Sequence, residues 1–327
     1  MRYAARRLGF FVVTLWACLT INFILPRMMP GNPALAMMSK VKGQVSPAAL
    51  KSMEIAFGVD TTQGLLSQYV GYLGNTLTGH FGTAVTLGFV PVSSIVFSAL
   101  PWTIGLVGVT TVLAFVLGTI IGTVSAWRRN GLLDSAMPPL FVIVSAFPYF
   151  WIALLMLLFF SISLHWAPQG FGYANTDVPA FTWHFAGDVL SHAILPALVI
   201  LITSIGQWIL TMRNNMITTL SEDYVRMARA KGLSPMRVMF DYAGRNAILP
   251  NLTGFAMSLG FVVSGAILVE YVFDYPGVGY MLLSAVTGED YALMQTLFFL
   301  ITVAVLLAVL AVDFVTMLLD PRTRTTR

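Results

Sequence analysis

Charge is scarce in this sequence. Of its 327 residues, 10% are Asp, Glu, Lys or Arg, against about 25% in an average soluble domain. So few charges cannot coat a water-soluble protein of this size, which excludes a soluble enzyme. Cysteine is scarcer still. Cys18 stands alone inside an apolar run, so neither an intrachain disulfide nor a cysteine-based zinc site can form. The sequence has no Gly-x4-Gly-Lys-Ser/Thr loop to cradle nucleotide phosphates and no His-Glu-x-x-His helix. Its histidines, His80, His165, His184 and His192, form no i, i+4 pair and stand at no zinc spacing. No metal site and no catalytic residue is therefore expected. No basic residue lies deep in an apolar run to pair with a carboxylate, and nothing resembles a proton relay. Asp313, seven residues before Asp320, fits a place near a membrane interface.

What the sequence has in excess is apolar length. It is 57% hydrophobic, with a mean hydropathy of +0.81. A helix needs about 20 apolar residues to cross a hydrocarbon core about 30 Å thick. Six segments meet or approach this, at 8–28, 101–127, 136–164, 190–212, 249–272 and 291–319. The first follows Arg2, Arg6 and Arg7 as a signal peptide would. It is long for one, however, and ends in Pro26-Arg27-Met28 rather than a small-residue cleavage site. It is expected to be a retained span.

Basic residues set the orientation. They gather at the N-terminus, at Arg128 and Arg129, through 213–248 and in the tail, leaving Arg27, Lys40, Lys42 and Lys51 on the other side. The positive-inside rule then places both termini and the 213–248 loop in the cytoplasm. Six spans with both ends inside are mutually consistent. A stripe of small residues, Gly118, Gly122 and Ala126, suits close helix packing, within this subunit or between subunits.

The 213–248 loop carries the most local information. Ser221 is placed as an N-cap, with Glu222 and Asp223 in the first turn, where the helix dipole favours negative charge. Arg226, Arg229 and Lys231 fall late, and Gly232 is placed to stop the helix in the left-handed conformation. Ser234 and Pro235 then open a second helix. The small Ala228 and Ala230 leave room for another surface. A short helix with a fixed stop suits docking into a partner's groove, and an interfacial amphipathic helix is the alternative.

At this loop the sequence becomes recognisable. EDYVRMARAKGLSPMRVMFDYAGRNAILPNLT resembles the cytoplasmic segment of the oligopeptide/dipeptide/nickel group of ABC importer permeases. The resemblance covers nearly the whole chain and is nearest to the B-type dipeptide permease subunit. RRLGFFVVTLWACLTINFILPRMMPGNPA is similar to that family's first span and its Pro-Gly-Asp/Asn-Pro turn. LTGHFGTAVTLGFVPV is similar to its Leu-x-Gly-Asp-x-Gly segment, with His80 where Asp is usual. SHAILPAL brings in His192 and Pro196, and VEYVFDYPGVGYMLLSAV brings in Glu270, Phe273, Pro276, Gly277 and Gly279 as outer and gate-region candidates. EDYALMQ and the ending DPRTR also fit.

The resemblance implies an all-α membrane protein with the type I ABC importer permease fold. It implies a first transmembrane helix at 1–29, an extracytoplasmic segment at 30–99, a permease core of five transmembrane helices at 100–320 and a cytoplasmic tail at 321–327. The chain departs from the general permease motif Glu-Ala-Ala-x3-Gly: Arg226 and Met227 stand where Glu and the first Ala would, and only Ala228 matches. A coupling account centred on Glu is thereby put in doubt. The coupling loop then comprises Glu222, Asp223, Tyr224, Arg226, Ala228, Ala230, Lys231 and Gly232, with docking contacts at Tyr224, Arg226, Ala228, Lys231 and Gly232. Arg245, Asn246 and Pro250 support the loop and the fifth span.

The partners implied are a second homologous permease in a heterodimer, two ABC ATPase subunits that hold ATP and Mg, and an extracytoplasmic solute-binding protein. This chain itself binds no cofactor. Its expected place is the inner membrane, multi-pass, and its expected cargo di- or oligopeptides. Oligosaccharides or nickel complexes are the alternatives within the class, and an ATP-independent channel or ion-coupled carrier the alternative outside it.

Overall fold

The computed structural model describes residues 2–28, 52, 64–264 and 266–319. The Pro-Gly-Asn-Pro turn, most of the first half of the 30–99 segment and the tail lie outside these. Among the described residues, five helices are long and apolar enough to cross a membrane: Arg6–Met28, Val92–Trp127, Trp183–Leu220, Leu249–Val272 and Tyr291–Ala311.

Helix α1 (Arg2–Met28) is followed, among the described residues, by α2 (Leu65–Leu77) and a hairpin in which Thr83–Ala84 pairs antiparallel with Val90–Pro91. Helix α3 (Val92–Trp127) starts earlier than the apolar run at 101 suggests and passes through a π-turn at Ile104–Gly108. The third expected span is corrected. Rather than one helix over 136–164, the chain forms α4 (Leu132–Ala146) and α5 (Tyr149–Ser163). Phe147 between them is extended (φ −88°, ψ 136°), because the ring of a following proline disfavours the helical region.

Helix α6 (Trp183–Leu220) outruns its apolar segment at both ends. Then come α7 (Asp223–Ala230) and α8 (235–247), which winds through a π-segment at Val238–Gly244. The fifth span is interrupted: α9 (Leu249–Phe261) gives way to a 3-10 turn, Val262–Ser264, before α10 (Ile267–Val272). The stretch 273–290, between the fifth and sixth expected spans, contains α11 (Val278–Thr287). Helix α12 (Tyr291–Leu319) ends the described chain.

The small-residue stripe joins α3 to α6 within the chain. A Cβ on Gly118 would stand 2.5 Å from Trp208 Cβ, and one on Gly122 2.6 Å from the Ile209 carbonyl oxygen. The two backbones can approach this closely only because these positions carry no side chain. Apolar clusters hold the bundle together. In one, Val92, Ile95, Val96 and Ala99 meet Leu282, Ala285, Leu293, Met294 and Leu297. A second holds Val199, Val269 and Phe273. Another, beneath α7, holds Ala126, Met212, Met216, Val225, Ala228, Val238 and Met239.

Candidate functional site

The first site, in the loop expected on the cytoplasmic side, is built from the C-terminal end of α6 onward. Ser221 does not cap the next helix. Its hydroxyl donates to the Thr218 carbonyl at 2.7 Å and closes α6, so the N-cap of α7 falls on Glu222 (φ −70°, ψ 145°), whose side chain makes no capping bond. Of the two acids, only Asp223 lies in the first turn of α7, with its carboxylate 3.7 Å from the Arg226 guanidinium.

Helix α7 stops as a Schellman motif. Gly232 takes φ +75°, its N–H donates to the Arg229 carbonyl, and the Leu233 N–H reaches back to the Ala228 carbonyl. Leu233 then packs into the apolar cluster beneath.

Val225 and Ala228, three apart, share the inward face of α7, and Ala228 is only 2% exposed. They press on Met212 and Met216 of α6 and on Met239 and Ala243 of α8. Ala228 therefore cannot be a docking contact, and that expectation is corrected: its small side chain accommodates this chain's own helices. The outward face carries Tyr224, Met227 and Lys231 at i, i+3 and i+7, with Arg226 and Ala230 beside them. Met227, 57% exposed, is a residue that motif matching passed over, although helical spacing puts it on the Tyr224 face. Asn246 Nδ2 donates to the Tyr224 hydroxyl at 2.8 Å, and the Arg229 guanidinium lies 5.3 Å from the Trp127 ring centroid. Thus α8 and α3 both brace α7. Arg245 and Pro250 are exposed.

One turn toward the membrane lies an ion pair that the sequence reading missed. Arg213 Nε donates to Asp134 Oδ1, which also accepts from Ser125 Oγ at 3.2 Å. Asp134 Oδ2 accepts from the Asn130 N–H at 2.9 Å. The Arg213 hydrogen bond, more than any other influence, pulls the Asp134 carboxyl down from 3.8 to about 2. The pair ties the α3–α4 turn to α6 directly above the α7 platform.

The second site, among the residues expected on the outer side, centres on Glu270, which is fully buried. Its Oε1 accepts from Thr103 Oγ1 at 2.9 Å, and its Oε2 from the N–H groups of Gly279 (2.7 Å) and Tyr280 (3.2 Å). Thr103 Oγ1 in turn accepts from the Val278 N–H. Together they satisfy the otherwise orphaned amides that open α11. Gly277 and Gly279 are needed for close approach, since a Cβ on either would stand within 3 Å of Glu270 Oε2. Thr103 gave no local signal, being 167 residues from Glu270 in sequence.

Around this lock, the Phe171 N–H donates to the Phe273 carbonyl at 2.9 Å, and Gly172 fits against Trp102 and Pro276. Trp102 stacks on Tyr173 and meets Tyr275 edge-on. Burial, reinforced by the charge on Glu270, raises the Tyr275 hydroxyl to about 12. His192 is placed by Asp188, 3.3 Å from its carboxylate, while the other Asp188 oxygen accepts from the Ala174 N–H. Pro196 is buried within α6. The expected outer residues therefore divide: Glu270, Phe273, Pro276, Gly277 and Gly279 meet in one structure, and His192 and Pro196 belong to the α6 wall beside it. Among the described residues, no group of three His, Cys, Asp or Glu side chains is arranged to hold a metal ion.

A helical bundle with several membrane-length apolar helices, a braced α7 and a locked turn at Glu270 is the framework of a multi-pass membrane protein. Residues 118–325 match the family described as binding-protein-dependent transport system inner membrane component, and the chain belongs to that family. It is 33% identical to the di/tripeptide transport system permease protein DppB of Pseudomonas aeruginosa, over 99% of each chain. It is 30% identical to the oligopeptide transport system permease protein AppB of Bacillus subtilis, over 98% of each. It is 31% identical to the dipeptide transport system permease protein DppB of Lactococcus lactis, over 99% of each. The protein is thus a multi-pass inner-membrane subunit of an ABC import system, working with ATPase and binding-protein partners.

Proposed function

We propose that this chain is one of two homologous permeases that together enclose a pathway for di- or oligopeptides. An extracytoplasmic binding protein delivers the peptide, and two ATPase subunits, which hold ATP and Mg, drive the cycle. The chain itself contributes no nucleotide site. The observation that carries this reading is the build of α7: an apolar underside anchored to α6 and α8, and an outward face of Tyr224, Met227 and Lys231 left for a partner. ATP-driven closure of the ATPase pair moves α7, and α6 carries the motion to the outer lock. The peptide cargo rests on full-length similarity to permeases named for di-, tri- and oligopeptides.

The test is reconstitution of the complete complex in vesicles with its binding protein and ATP. Labelled di- and tripeptides are expected to accumulate, and only when ATP, Mg and the binding protein are all present. Accumulation of nickel complexes or oligosaccharides in their place would reassign the cargo. Uptake by the purified chain alone, without ATP, would overturn the reading as a whole.

A further inference from the structure

The segment between the first two spans contains one helix with an unexpected address. Helix α2 (Leu65–Leu77) carries no charged residue. Its inner face, Gln68, Tyr69, Tyr72 and Thr76, turns toward α1. Thr20 Oγ1 and the Tyr69 hydroxyl share a hydrogen bond of 2.7 Å. Asn22 Nδ2 donates to the Tyr72 hydroxyl at 3.0 Å, and Arg27 donates to Gln68 Oε1. Phe23 packs against both tyrosine rings. Gln68, near the start of α2, meets α1 at Arg27, whereas Tyr69 and Tyr72 meet it nearer its N-terminal end at Thr20 and Asn22.

Helix α1 serves as a ruler. Arg6 and Arg7 hold its inner end at the cytoplasmic surface. From Leu8 the rise is about 18 Å to Thr20, about 21 Å to Asn22 and about 28 Å to Arg27. The hydrocarbon core is about 30 Å thick, so Tyr69 and Tyr72 meet α1 below the outer boundary. Tilting α1 would set them deeper. Helix α12 agrees. The Gln295 carbonyl accepts from Asn22 at 2.7 Å, and the Phe81 ring lies 6.0 Å from that of Phe299, about 12 Å along α12 from Tyr291. The chain then returns outward, where Thr86 donates to the Asp290 carboxylate through both its N–H and its hydroxyl.

The outward face of α2 holds Leu66, Val70, Gly74 and Leu77. The three large side chains are 62–76% exposed, and a Cβ on Gly71 or Gly74 would meet nothing within 4 Å. Ile21, Ile24 and Leu25 of α1 are likewise exposed. We propose that α2 re-enters the outer leaflet and that its Leu66–Val70–Leu77 face binds lipid acyl chains. Gln68, Tyr69 and Tyr72 hydrogen-bond to α1, as polar side chains at this depth require, and Ser67 and Asn75 flank the apolar strip.

The test uses the assembled importer in vesicles, with Cys18 replaced by alanine and single cysteines introduced as Leu66→Cys, Val70→Cys and Leu77→Cys. Each is labelled with a small fluorophore. Ile21→Cys is the lipid-facing control and Phe181→Cys the outer-loop control. Phosphatidylcholine brominated on its acyl chains is expected to quench the three α2 positions at least half as strongly as Ile21→Cys, and to leave Phe181→Cys unquenched. Quenching of the α2 positions by aqueous iodide in place of brominated lipid would overturn the proposal in favour of water. Quenching by neither would overturn it in favour of a covering protein subunit. Three positions keep the test decisive if one variant fails to assemble.

Discussion

Glu270 directs both carboxylate oxygens at its own chain, so its replacement tests the lock directly. In Glu270→Gln the side chain keeps one acceptor oxygen and can no longer accept both from Thr103 and from the Gly279 and Tyr280 N–H groups, and the charge assistance is lost. Hydrogen bonds to charged groups contribute about 1.5–3 kcal/mol each. Heat inactivation of the purified complex should therefore begin several degrees lower, with peptide uptake falling in parallel. Uptake and inactivation unchanged in Glu270→Gln would show that the lock is dispensable. Asp134 lends itself to a pH experiment. Its carboxyl is held at about 2 in the folded chain against an ordinary 3.8. The stability it confers is complete above pH 4 and is lost as pH falls through 2. The stability difference between the native chain and Asp134→Asn should accordingly be constant from pH 7 to 5 and shrink between 4 and 2. Neither residue's role could be read locally: Asp134 pairs with Arg213, 79 positions on, and a single sequence carries no record of such pairings.

Helix α7 presents two faces that can be tested separately. Met227→Asp changes the outward face and leaves the underside untouched. The chain should insert normally, while recovery of the ATPase subunits with it drops at least ten-fold. Ala228→Leu overfills the underside, which costs about 1–3 kcal/mol in a packed core, and should loosen α7 as read by protease cleavage near Gly232. Gly232→Val forces a β-branched residue to φ +75°. It should uncouple ATP hydrolysis from uptake while membrane insertion stays intact, measured as the ratio of the two rates. The stop at Gly232 was legible because only one residue type tolerates that conformation cheaply. The start was misread by one residue, since Ser221 and Glu222 both suit a cap and the preceding helix claimed the serine. The break at Phe147–Pro148 was signalled by proline, yet the apolar composition on both sides concealed it. Helix α11 was missed for the opposite reason: ten residues, mostly apolar, are too short for a span and show no polar alternation to mark a surface helix.

Across the whole chain, hydropathy located five spans and the interrupted third, because lipid imposes the same length on each. It could not say which helices touch. The α3–α6 seam was offered by Gly118 and Gly122 without a partner, and only the fold assigns Trp208 and Ile209 to it. Gly122→Ile should separate these helices and reduce the amount of assembled complex in membranes several-fold, measured by co-purification, while Gly71→Ile, at an open position, should leave it unchanged.

Helix α6 contains 38 residues and is therefore about 57 Å long. Its inner end is bolted to α7 through Met212 and Met216, and its outer end to the Ala174 loop through Asp188. Such a rod is a lever. Tilting it by about 5° about its inner end sweeps the outer end through about 5 Å at this length, more than the radius of the water molecule a closed gate must exclude. A small rotation at α7 would therefore become a displacement of several ångströms in the α6 wall beside the Glu270 lock.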